Sequence, residues 1–308
     1  MNRIATFGNY QSALLDLMRA QTRAADAQER VSTQKIATDL TGFGRQSETL
    51  TALKGAESRI KGFMETAHAV SARLTTQDLA LIQIGDGVAG LRQAIGSVLA
   101  TDSAGPLMLE LEGQFQSVRG GLTMRHQGGY IFAGAATTTS PVSVANLAQL
   151  SAAPTVASVF RNDTLKSASR IAEGTTLETG FLANEVGAEI FEILRDIQIY
   201  HAGPGGPLTG KVTQVQKDFL TTQLARLEPA ATAIIDKTAK TGSLANQVER
   251  VNKGHQGQLN ALGELVSDRT DADMAAAITD LELSQIAIQA SAQVISQLRQ
   301  VSLLNYLN

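Results

Sequence analysis

Three stretches of this chain hold residue types that could do chemistry. Gly85-Asp86-Gly87-Val88-Ala89-Gly90 fits G-x-G-x-x-G, the turn that lets a backbone approach a pyrophosphate. Glu110 lies about 20 residues further on, where a dinucleotide fold keeps its ribose-binding carboxylate. That fingerprint needs a strand before it and a fresh helix after it. Here Leu81, Ile84, Val88, Leu91 and Ile95 hold one helical stripe straight through the glycines. They are therefore expected inside a helix, permitting close packing at a propensity cost of about 1 kcal/mol each. Gly205 to Val212, GGPLTGKV, nearly matches a phosphate-binding loop, but Val212 stands where the Mg²⁺-binding hydroxyl belongs. Two prolines flank the glycines and no strand precedes them, so a loop between helices is expected. The acidic group Asp268, Asp271, Asp273, Asp280 and Glu282 could suggest a metal. Asp271 and Asp273, however, sit where a helix N-terminus takes caps and negative charge. His68, His126, His201 and His255 are scattered, none with a partner at ligand spacing. His255 reads as a polar interruption near a helical seam. No nucleophile–base grouping can be argued. The expectation is no catalytic, cofactor-binding or metal residues, and a protein that is not an enzyme.

The bulk properties agree. Net charge is −3 over 308 residues, which makes no electrostatic case for nucleic acid or an anionic membrane. Cysteine is absent, which excludes disulfides and thiol catalysis. The opening MNRIATFGNYQSALLDLMRA is amphipathic and lacks the apolar core and cleavage site of a signal peptide. No apolar run is long enough to span a bilayer. By these rules the chain is cytoplasmic, or exported by a route they do not read.

The elements that could position a function lie at the two ends. Asp271 to Asn308 has no Gly, Pro or Lys. Met274, Ile278, Leu281, Ile288 and Ile295 recur on 3-4 spacing, with Gln285 and Ala292 inside the stripe. A second stripe runs Leu283, Ala287, Ala290, Val294, Leu298 and Val301, and Leu304 and Leu307 continue the apolar character to the end. At 100° per residue the two stripes face opposite ways. A terminal helix with two apolar faces should pack on its own chain with one and on a partner with the other. The N-terminal segment mirrors it: Phe7, Tyr10, Leu14, Leu17, Ala24 and Val31 keep heptad-like spacing, interrupted by Gln21 and Gln28, and Leu15, Met18 and Ala25 begin a second face. The two ends are expected to pair, and those named apolar side chains are the candidate assembly interface.

Between them, residues 34–47 read as a linker. A helix from about Glu48 to Leu99 ends at Asp102–Pro106, and a second carries Leu107, Leu111, Phe115, Val118 and Leu122. Gly128-Gly129 stops it and Tyr130-Ile131-Phe132 begins a strand. Ser158–Asn162, Ser167–Ala172 and Thr175–Leu182 are further candidate strands. Helices resume with Val186, Ile190, Ile193 and Ile197, then from about Val212 to Val266, with a kink expected at Pro229. The fold class is mainly α: an elongated, nested helical bundle with paired terminal helices and a small β-containing insertion. The expected domains are 1–40 with 268–308 for assembly, 41–134 with 185–267 for the long helices, and 135–184 as the insertion.

The chain resembles the flagellin superfamily, most closely its hook–filament junction proteins (hook-associated protein 3, FlgL-type). The resemblance rests on Arg3-Ile4-Ala5-Thr6 followed by Tyr10 and an amphipathic helix, and on GGYIFAG at 128–134. It rests most on DADMAAAITDLELSQIAIQASAQVISQLRQVSLLNYL at the C-terminus, whose ending Ser302–Leu307 looks like a junction protein. RVSTQKIATDLTGFG looks like the family's Ser-Thr-Gly-Lys turn, with Gln34 in place of Gly and without the usual Asp-Asp-Pro. Everything except the insertion is covered. The resemblance implies a structural, secreted flagellar protein that assembles with copies of itself, a neighbouring hook-associated protein and flagellin. It also implies export by the flagellar type III apparatus without a cleaved signal, a cytoplasmic chaperone for the C-terminal region, no cofactor, and an extracellular place at the hook–filament junction. A filament-forming flagellin is the alternative. A cytoplasmic helical scaffold or signalling coiled coil is the rival from another class.

Overall fold

The computed structural model describes the backbone of residues 2–307 and the side chains of residues 8–299. In chain order the elements are α1 (Asn2–Thr33), α2 (Ser47–Thr101), α3 (Leu107–Leu122), β1 (Arg125–His126), β2 (Gly129–Tyr130), α4 (Leu147–Ala152), β3 (Ala168–Ala172), β4 (Thr175–Glu178), α5 (Ala183–Ala202), α6 (Gln214–Thr270) and α7 (Met274–Leu307). The fold is mainly α, with paired terminal helices and short antiparallel strand pairs in the middle. Its contacts form two compact units. One is Met1–Arg59 with Gln258–Asn308, the other Ile60–Gly257. The division falls inside α2 and α6.

In the larger unit, periodicity explains the helices. Leu81, Ile84, Val88, Leu91 and Ile95 of α2 are buried together with Leu111, Phe115, Val118 and Leu122 of α3. Ile190, Phe191, Leu194 and Ile197 of α5 and Leu220, Leu227 and Ile234 of α6 close the same core. The Phe115 and Phe191 rings lie 5.3 Å apart in a tilted pair, and Phe160 sits 5.4 Å from Phe191 on another side. α6 runs as one helix through Pro229.

The glycine fingerprint lies inside α2, as the apolar stripe demands. A β-carbon on Gly87 would come within 2.7 Å of the Val118 side chain, and one on Gly121 of α3 within 2.8 Å of the Ala80 carbonyl oxygen. These glycines let two helix backbones approach and leave no room for a phosphate. GGPLTGKV is the loop from α5 to α6, and several of its amides serve the fold. Leu208 N–H donates to His201 Nδ1 at 3.1 Å, and Val212 N–H to the Asp102 carbonyl at 3.0 Å.

The insertion differs in detail from its sequence reading. β3 and β4 form a hairpin, with Ser169 opposite Leu177 and Arg170 opposite Thr176. Ser158–Asn162 is not a strand: Ala157–Val159 is a 3-10 turn, and Phe160 only bridges Val142. Side-chain hydrogen bonds win there, since Ser158 Oγ donates to the Thr155 carbonyl at 2.6 Å and Thr155 Oγ1 accepts from Ser158 N–H. The strand begun at Tyr130 is two residues long, because the Ile131 and Phe132 side chains are both drawn into the core. His255 of α6 is buried. Its Nε2 lies 2.8 Å from the Ile171 carbonyl and its ring 5.8 Å from Phe63, so it ties β3 to the helices.

Candidate assembly surface

α1 and α7 pack on each other in the smaller unit. They run antiparallel. Lys35 bridges Asp271 in antiparallel fashion, and nine residues further along α7 Arg30 reaches Asp280 at 3.1 Å. Burial along α1 recurs at Tyr10, Ala13, Leu17, Ala20, Ala24, Ala27 and Val31. Along α7 it recurs at Met274, Ala277, Leu281, Ser284, Ile288, Ser291, Ile295 and Leu298. Both are unbroken 3-4 repeats, which is how a helix keeps one seam against a partner.

Half of the predicted positions fall in that seam. Tyr10, Leu17, Val31, Met274, Leu281, Ile288, Ile295 and Leu298 are buried or half-buried there. Leu14, Ile278, Leu283 and Val294 are exposed. Phe7, Val301, Leu304 and Leu307 lie outside the described side chains. The difference is one of register. Leu14, Ile278, Gln285 and Ala292 suggested a stripe one residue beyond the one used, and the seam takes Ala13, Ala277, Ser284 and Ser291 instead. Burying Leu14 would bring Gln21 and Gln28 in with it, since they share its heptad position. Each buried amide would need hydrogen-bond partners that an α-helical neighbour does not supply. Alanine carries no such demand, and a serine hydroxyl can reach a carbonyl one turn back on its own helix. Ala27 and Ala277 are almost fully buried. Sequence could have found them, because a strict repeat of small residues is as periodic as one of leucines.

The outer faces remain apolar. Leu15 and Met18 of α1 are 53% and 57% exposed, Leu283 and Ile286 of α7 59% and 61%. Ile286 is one the stripe reading missed. Beside them runs a groove of about 650 Å³, walled by Asp16, Arg23 and Asp26 on α1 and by Leu283, Ala287 and Ser291 on α7. Its carboxylates and guanidiniums balance in sign, so shape and apolar area dominate over net charge.

The ends of the pair are fixed by a small polar cluster. Ile36 N–H donates to the Thr270 carbonyl at 2.7 Å, and Ala272 N–H to the Gln34 carbonyl at 3.0 Å. Lys35 Nζ pairs with the Asp271 carboxylate, which also accepts from Ser267 Oγ. The Lys35 hydrogen bond, then the Ser267 one, hold the Asp271 carboxyl below its ordinary value. Asp273 caps α7, its Oδ1 accepting from the N–H groups of Ala275 (3.0 Å) and Ala276 (3.1 Å). Asp271 and Asp280 are thus in ion pairs and Asp273 is a cap, and among the described residues no cluster of three or more His, Cys, Asp or Glu side chains could hold a metal. Gln34 has φ 59°, left-handed backbone at the position where the flagellin turn carries Gly.

With this geometry in place, comparison with known proteins is direct. Residues 224–307 match the model of the bacterial flagellin C-terminal helical region. No curated protein matches the chain in sequence. In fold it is similar to a protein assigned as a flagellar hook-associated protein from Vibrio parahaemolyticus, with TM-score 0.61 and 14% identity, over 76% of this chain and 99% of that one. It is also similar to FlgL from Bacillus cereus, with TM-score 0.56 and 15% identity, over 70% of this chain and 99% of that one. At such identities the likeness is one of fold.

Proposed function

We propose that the chain is a structural component of the bacterial flagellum and forms the junction between hook and filament, assembling through its terminal helices. One observation carries the reading: α1 and α7 fill their mutual seam and still present large apolar side chains outward on both helices. Such surface is costly to leave in water and marks a partner site. The flagellin C-terminal match over 224–307 says what kind of assembly uses that helix. The fold likeness to FlgL and to the hook-associated protein supports the junction over the filament itself.

On this reading the partners are further copies of the chain, a neighbouring hook-associated protein and flagellin. The chain travels through the flagellar type III apparatus without a cleaved signal, guarded by a chaperone on its C-terminal region, and works outside the cell at the hook–filament junction. The test is deletion of the gene in a motile host. Electron microscopy should show hooks without filaments, and flagellin shed into the medium. Filaments of normal length on the deleted strain would refute the junction role. A labelled chain found along the whole filament would assign it to the filament instead.

A further inference from the structure

A second site lies in the larger unit. One face of α2 passes under the β1–β2 hairpin, leaving a groove of about 270 Å³. Thr66, Val70 and Arg73 form the α2 wall; His126 and Tyr130 of the hairpin and Ser169 of β3 form the others. Arg73 is the unusual member. Its Nη1 donates to Ser167 Oγ and its Nη2 to the Ile131 carbonyl at 3.2 Å. Both acceptors are neutral, and no aspartate or glutamate lines the groove. Two of the five guanidinium donors are used, which leaves three. A partly buried cation is ordinarily matched by a carboxylate, because desolvation without a counter-charge is costly. Here burial alone acts on Arg73 and draws its pKa below the ordinary arginine value.

The rest of the groove has the same character. His126 holds Thr76 Oγ1 at 2.9 Å through Nδ1. Arg125 stacks on the Tyr130 ring at 4.2 Å and donates to its phenol at 2.6 Å. Thr137 and Ser169 add hydroxyls to the lining, which holds no opposing negative charge, while the Thr66 hydroxyl donates to the Gly62 carbonyl at 3.0 Å.

We propose that this groove binds a carboxylate, with Arg73 as its charge partner. The planar guanidinium fork matches two carboxylate oxygens. Among the lining residues Arg73 is the one guanidinium and balances a single negative charge, while Arg125 is engaged by the Tyr130 ring and phenol; a dianionic phosphate would call for a second cation in the lining. The volume, at the low end for ligand sites, takes a small organic acid or the end of an acidic side chain.

The test uses the full chain at neutral pH and constant ionic strength, followed by the His126 ring resonances and by titration calorimetry. Probes are sodium acetate, the peptide acetyl-Glu-amide, and sodium phosphate, each against sodium chloride. Saturable binding of acetate or the peptide, with a Kd on the order of 1 mM or below, supports the proposal. Acetate alone assigns the groove to a free acid, and the peptide alone to a protein partner's side chain. Arg73→Gln should weaken binding about tenfold or more. Because Arg73 also holds Ser167 and Ile131, Thr137→Val at the exposed rim gives an independent variant that keeps the fold and weakens binding severalfold. No saturable shift with either carboxylate, an equal response to chloride, unchanged affinity in both variants, or tighter binding of phosphate would overturn it.

Discussion

Replacing Leu283 and Ile286 by glutamine separates the outer face of α7 from its seam. Both side chains are about three-fifths exposed, at 59% and 61%. Fully burying such a side chain contributes about 1.5–3 kcal/mol, so the exposed share of each still has about 1–2 kcal/mol to give on assembly. For the pair that is about 2–4 kcal/mol per contact, or about thirtyfold to several hundredfold in affinity. Glutamine is as good a helix former as leucine, and both positions lie outside the buried seam, Leu283 on the groove beside α1. The isolated chain should therefore keep its helical content and its melting behaviour, with a change of about 0.5 kcal/mol or less. The assay is complementation of the deletion strain, counting hooks that carry filaments, alongside thermal circular dichroism of the purified chain. The control is Ala27→Leu, which enlarges a fully buried seam position and should cost about 1–3 kcal/mol by overpacking. Its signature is the reverse, an earlier melt of the terminal pair. Wild-type filament attachment by the secreted Leu283→Gln, Ile286→Gln chain would refute the reasoning, because the outer apolar face would then have no use in assembly.

Three further substitutions probe the supports of this arrangement. Gln34→Gly relieves a non-glycine residue from φ 59° and should stabilise the smaller unit by about 0.5–1 kcal/mol, read from urea unfolding. Gly121→Ala places a β-carbon 2.8 Å from the Ala80 carbonyl and should destabilise the larger unit by about 1–3 kcal/mol, also read from urea unfolding. Asp271 has a folded pKa below its unfolded one, so its contribution is present above the unfolded value and is lost as pH falls through the folded value. Amide protection at Ile36 and Ala272 should fall across that acidic window in the native chain, and the fall should be flattened in Asp271→Asn.

Much of the fold was legible because it is written in long periodic stretches. The stripe from Leu81 to Ile95 was strong enough to place the Gly85–Gly90 fingerprint inside a helix, and Gly87 against Val118 is the physical reason the glycines are there. The insertion was less legible. Its turns are set by single hydroxyls such as those of Thr155 and Ser158, which compete locally with strand pairing and leave no periodicity to read. The groove around Arg73 was not legible at all. It joins residues from α2, the first hairpin and β3, brought together by packing that no spacing in the sequence encodes.

The register of the terminal pair tells most about how the chain works. Two heptad stripes compete on α1, and they share Tyr10, Leu17, Ala24 and Val31. They differ in whether the second position is Leu14, Gln21 and Gln28 or Ala13, Ala20 and Ala27. Counting apolar size favours the first; the desolvation of two amides defeats it. The choice has a consequence on the outside. With alanines and serines in the seam, α1 and α7 can approach closely, and Leu14, Leu15, Met18, Ile278, Leu283 and Ile286 are left facing out. The seam alternates such small residues with larger ones, among them Leu17, Val31, Leu281 and Ile288, and is closed at its end by the antiparallel bridge at Lys35–Asp271 and the cap at Asp273. Large apolar side chains thereby stay on the outer faces, so on the assembly reading the pair should be the least protected part of the isolated chain and gain protection on assembly.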